Sequence, residues 1–144
     1  MVLLNNAVHE LLHPPWPAHH PVKPLLDALS ENPFLASRFA ARDPAAGYGT
    51  WTAYAEEDAA QALDQFLVTQ LGLARKDPVT RWTTADDGMH VLALLLHDAL
   101  VRGGFDAERE SYADFLVVAL ANGQWPDDLE SRYNQLIDSD GCRI

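Results

Sequence analysis

An all-α fold, an irregular bundle of about six to seven helices around one central apolar helix, is what the sequence predicts, and three observations predict it. Residues 85–102, ADDGMHVLALLLHDALVR, place Met89, Leu92, Ala93, Leu95, Leu96, Ala99 and Leu100 on one continuous half of a helical wheel. The other half mixes Asp86, Asp87, His90, His97, Asp98 and Arg102 with Val91, Leu94 and Val101, so this helix can be touched from several sides. The remaining segments repeat apolar residues at helical spacing, and no convincing strand pattern competes with them. A length of 144 residues suits a single domain able to bury a real core, so residues 1–144 are expected to form one unit.

In chain order, residues 2–13 form a first amphipathic helix with Leu4, Val8, Leu11 and Leu12 on one side. Pro14, Pro15 and Pro17 end it, since proline has no N–H to donate, and residues 14–24 become a proline-stiffened connector. Pro24 opens a short helix to Glu31, and Asn32-Pro33, a cap followed by a first-turn proline, opens another to about Arg42. DPAAGYGT is a loop by its Pro and Gly content. Residues 53–71 make a long helix capped by Thr52, with Ala59, Ala62, Leu63, Phe66 and Leu67 on its packing face. Glu56, Glu57 and Asp58 fall near its positive end.

The stretch ARKDPVTRW then connects to the central helix, which begins with Thr84 and Asp87 as a capping box and stops at Gly103-Gly104. Residues 105–107 link to a helix over 108–121. Pro126, with Asp127 and Asp128, opens a last helix striped by Leu129, Tyr133, Leu136 and Ile137.

The formal net charge is −11 with only two lysines. Binding to a nucleic-acid backbone needs clustered basic residues, so direct nucleic-acid binding is excluded as an expectation, as is an anionic membrane surface. A partner selected by charge is a basic protein. One cysteine, Cys142, permits no intramolecular disulfide and fits a reducing compartment. No basic residue precedes the apolar start, and the longest apolar run, 91–96, is too short to span a bilayer. A cytoplasmic location follows, and a preference for arginine over lysine suits a GC-rich bacterial or phage gene.

His9-Glu10-Leu11-Leu12-His13 matches H-E-x-x-H, which in zinc peptidases sets two imidazoles one turn apart with a general-base glutamate between them. Glu31 is the conceivable third ligand. The match covers five residues, Pro14 ends the helix directly after it, and both histidines share the polar side with Asn5 and Asn6. A solvated helix face is therefore the reading taken, and no cofactor or metal is assigned to His9, His13, His19 or His20. His90 and His97 lie seven apart on the side of Asp86, and a polar seam in the bundle accounts for them. Trp16, Trp51, Trp82 and Trp125 fall in connectors, where they lid the ends of the bundle or anchor a partner.

The acids gather at two poles. Asp86, Asp87, Asp127, Asp128 and Glu130 sit mostly at helix starts, where the dipole favours them. Asp106, Glu108 and Glu110, with Asp138 and Asp140 at a helix end, have no such local reason, and these five are the expected partner-binding residues. The function expected is that of a small acidic helical binding protein, of immunity or inhibitor type, that neutralises a basic toxin or nucleic-acid-binding enzyme by surface complementarity. The alternatives are a metal-dependent hydrolase built on residues 9–13 and a plain helical adaptor or oligomerisation module.

Overall fold

Proline and short polar side chains set where the helices begin. In the computed structural model, which describes residues 15–121 and 125–141, helix α1 spans Val22–Ala28, α2 Pro33–Ala40, α3 Trp51–Gln70, α4 Pro78–Thr84, α5 Val91–Arg102, α6 Tyr112–Ala121 and α7 Leu129–Gly141. Short 3-10 turns at Leu29–Glu31, Pro44–Ala46 and Ala85–Gly88 join some of them, and no strand occurs among the described residues. The expected all-α class therefore holds. No helix among these residues is long and apolar enough to cross a membrane.

The same device opens α2 and α4. Asn32 accepts hydrogen bonds from the N–H groups of Phe34 and Leu35 ahead of Pro33, and Asp77 accepts from Thr80 N–H ahead of Pro78. The α4 helix lies in what the sequence suggests is a connector. Thr50 rather than Thr52 caps α3, through Ala53 N–H at 3.2 Å.

The central helix is the core, as expected, but it is shorter. Every residue of α5 from Val91 to Leu100 is buried. The chain does not run helically from residue 85, because Asp86 (φ 48°, ψ 43°) and Asp87 (φ 57°, ψ 29°) are left-handed and Gly88 follows at φ 77°. Aspartate and glycine tolerate this region best. The Asp86 carboxylate, turned back onto His90, holds the break in place.

The helix expected over 108–121 is also shorter and starts at Tyr112. Asp106 and Glu110 take the backbone N–H groups of Glu108 and Asp106, closing a turn where a helix would have begun.

Helix α3 makes the most extensive contact with α5. Its buried Ala55, Ala59 and Ala62 let the backbones approach closely, and α7, with Leu129 and Tyr133 buried, lies against the same central helix. Tyr112 reaches across to donate its hydroxyl to the Ala59 carbonyl at 2.7 Å, which ties the start of α6 to the middle of α3.

Gly103, just past α5, marks a close approach. A Cβ there would lie 2.5 Å from Phe115 Cζ and 3.0 Å from the Ala99 carbonyl oxygen. Phe115 cannot swing away freely, because it is buried with its ring against Phe105. Gly103→Ala is therefore expected to destabilise the fold by roughly 1–3 kcal/mol. Phe115→Leu in the same background should return part of the loss. Urea unfolding of the three chains checks this, and an unchanged midpoint for Gly103→Ala contradicts it.

Candidate functional site

A carboxylate in the middle of a packed helix demands partners, and Asp58 on α3 is wholly buried. One oxygen meets His90 Nδ1 at 2.6 Å and the other accepts the Ala93 N–H at 2.9 Å. His90, also wholly buried, stands at the position before α5, and its Nε2 meets Asp86 at 2.7 Å. Tyr54 stacks on the imidazole and donates its hydroxyl to the Met89 carbonyl at 2.7 Å, while Tyr48 packs edge-on. One carboxylate thus caps α5 from a neighbouring helix and grips the histidine at its start.

Burial raises the Asp58 pKa, opposed by His90 and the Ala93 N–H. With ionised carboxylates on both ring nitrogens, His90 satisfies both only as the imidazolium. Burial works against that charge. The hydrogen bonds and charges of Asp58 and then Asp86 outweigh it, and the His90 pKa is raised. A histidine so placed has no lone pair to offer a substrate, and its ring does not reach solvent. The arrangement is a clamp rather than a catalytic base.

The two histidines of the central helix do not form one site. Two turns on, His97 packs against the rings of Phe66 and Trp82 and is 8% exposed. No hydrogen bond to either of its ring nitrogens exists among the described residues, and the ring lines a cleft of about 230 Å³. Burial chiefly, opposed by Asp98 and aided by Arg81, lowers its pKa to about 4, so it is neutral near pH 7.

Next to it, Asp98 accepts from Arg132 at 2.6 and 2.9 Å and from Arg102 at 2.8 Å, which ties α5 to α7. Burial disfavours the Asp98 carboxylate, yet these two arginines hold its pKa below the usual range. On α3, Asp64 takes Arg81 at 3.0 Å through one oxygen, and its other oxygen is buried without a partner among the described residues.

The expected partner-binding residues are placed as follows. Asp106, Glu108 and Glu110 share the loop between α5 and α6, where Asp106 and Glu110 carry the loop's own hydrogen bonds and Glu108 is exposed. Asp138 is exposed near the end of α7, and the side chain of Asp140 lies outside the described residues, as does the whole of residues 9–13 with the H-E-x-x-H match. Among the described residues no group of three or more metal-ligating side chains is disposed to hold an ion.

The tryptophans are not exposed anchors. Trp16 and Trp82 are buried, Trp82 binds Gln61 through Nε1 at 2.9 Å, Trp51 binds the Leu26 carbonyl at 3.0 Å, and Trp125 is half-buried. Asp58 itself was readable only as a helix-start acid. The signal that separates it is register, for it shares the buried face of Tyr54, Ala55, Ala59 and Ala62.

The two histidines give opposite pH dependences. The folded-state pKa of His97 is depressed from 6.5 to about 4, so its contribution is present above about 6.5 and lost as pH falls toward 4. The loss amounts to roughly 3 kcal/mol. His90 is raised, so its contribution is present below 6.5 and is lost as pH rises through the folded value. Thermal melts from acid to mildly alkaline pH should show a maximum between the two limbs, and His97→Phe should flatten the acid limb alone. An acid limb unchanged in that variant contradicts the assignment.

No protein-family model, characterised protein or solved structure matches this chain.

Proposed function

We propose that this chain is a binding protein whose acidic surface covers a basic protein partner, in the manner of an immunity or inhibitor protein. The observation that carries the reading is how the charges are distributed. Four arginines, three half-buried and Arg102 exposed, are held by intramolecular partners: Arg81 on Asp64, Arg102 and Arg132 on Asp98, and Arg42 on the Phe39 and Tyr48 carbonyls. Exposed carboxylates remain on the outside, among them Glu108 and Glu110 on the α5–α6 loop and Asp127, Glu130 and Asp138 on or beside α7. A net charge of −11 is therefore expressed mainly at the surface. The histidine held in the clamp is compatible with the same reading, since both of its ring nitrogens are taken by carboxylates.

The exposed acids of the α5–α6 loop and of the end of α7 are the proposed contact. Glu108 and Asp138 are the residues to change there, because their side chains hold no hydrogen bond among the described residues, whereas Asp106 and Glu110 support the loop. The immobilised protein is used to capture basic proteins at low salt. Association of a captured partner is then measured across a salt series. Glu108→Lys with Asp138→Lys should slow association by roughly tenfold or more at low salt, with an unchanged melting temperature. Asp127→Lys with Glu130→Lys, the same change in net charge at the other end of α7, should slow it much less. Equal slowing by both pairs would mean that net charge alone steers the encounter and that this end is not the contact.

A further inference from the structure

The cleft beside His97 is built unlike the rest of the surface. Pro78 and Val79 from the start of α4, Leu94 and Val101 from α5, and Leu136 from α7 give it apolar walls. Its volume, about 230 Å³, exceeds the roughly 150 Å³ that suffices to take up a benzene ring. Val101, at 57% exposure, is one of the few large apolar side chains left open among the described residues. Inside, His97 is more than nine-tenths buried with both ring nitrogens lacking a hydrogen bond among the described residues. Asp98, the one carboxylate on the same helix that lines the cleft, is already saturated by Arg102 and Arg132.

These features select the occupant. A purely aliphatic group would leave the imidazole unsatisfied, which costs more than a made hydrogen bond returns. A cation would enter an apolar space whose carboxylate is already paired. A phenol fits: its ring fills the apolar volume, and its hydroxyl donates to one imidazole nitrogen or accepts from the other, so either tautomer is served. Outside the cleft both signs of charge occur, since exposed Lys76 adjoins Asp77 and exposed Arg102 adjoins Val101. Asp77 and Ser139 line the opening, Ser139 adjoins the exposed Asp138, and Val101 leads into the loop that carries Asp106 and Glu108.

We propose that this cleft receives a tyrosine side chain of the partner, its hydroxyl bonded to His97. The inference rests on the binding reading above and supplies the partner's anchoring chemistry. The cleft would give the desolvated centre of the contact and the charged groups around it the polar rim.

The test uses the full chain and small probes: p-cresol for the tyrosine side chain and toluene for the same ring without the hydroxyl. Nitrogen-15 spectra of the histidine rings report on His97, identified by its loss in His97→Gln. The expected result is saturable binding of p-cresol that moves the His97 signals. Toluene should bind roughly tenfold more weakly, as one lost hydrogen bond implies. Val101→Trp, placed at an exposed position so that folding is preserved, should close the cleft and abolish binding. Absence of saturable p-cresol binding, unmoved His97 signals, or equal affinity for toluene would overturn the proposal. The two claims fail separately. A cleft that takes p-cresol in a protein whose partner ignores the Glu108 and Asp138 changes sinks the surface reading alone, and the converse sinks the cleft alone.

Discussion

A charged side chain in the middle of a buried helix face must be answered, and the answer to Asp58 sets the geometry of this molecule. Its two oxygens take the imidazole of His90 and the Ala93 N–H, both at the start of α5. A helix begins with unpaired N–H groups, and here one of them is met from another element rather than from the local chain. The axial position and rotation of the central helix are thereby referred to α3. Two turns along α5, the same rotation directs Asp98 toward Arg132 of α7 and turns His97 into the cleft between α4 and α7. Leaving one partner of such a buried pair uncompensated typically costs about 3–5 kcal/mol.

The acidity of the chain has two separate physical uses. Within the fold, buried carboxylates recruit basic groups: Asp58 holds an imidazolium, Asp98 two arginines and Asp64 one. Only Asp98, which takes two arginines, removes more positive than negative charge; the one-to-one contacts leave the outer balance unchanged. At helix starts, Asp77 and Asp128 accept backbone N–H groups, and hydrogen bonds from Thr80 and Ser131 keep their pKa values low. The exposed acids that remain, Glu108 and Asp138 among them, have no such local use.

The helical class and the central apolar helix were legible because their signals are periodic and local. The start of α2 was legible from Asn32-Pro33, and the same two-residue logic at Asp77-Pro78 marks α4, where the basic, polar neighbourhood disguised it as a connector. The break at Asp86 and Asp87 was hidden for a different reason. A Thr-x-x-Asp spacing reads as a capping box in one dimension, but Asp86 is turned toward His90, and the left-handed backbone is the consequence. The clamp could be seen only in part: Asp86 and His90 sit four apart in sequence, whereas Asp58 comes from 32 residues upstream, and no local pattern carries that pairing. The cleft was illegible altogether, since three separate helices form its walls, the last of them well beyond the other two in sequence.

A double-mutant cycle on Asp58 and His90 tests most directly the claim that one buried pair organises the fold. Unfolding free energies are measured for Asp58→Ala, His90→Ala and the chain with both changes. Each single change should be strongly destabilising because it strands a buried partner, and the double change should cost less than the two together, with a coupling of roughly 1–3 kcal/mol. Losses that add within about 0.5 kcal/mol would show that the two side chains act independently and would contradict the account.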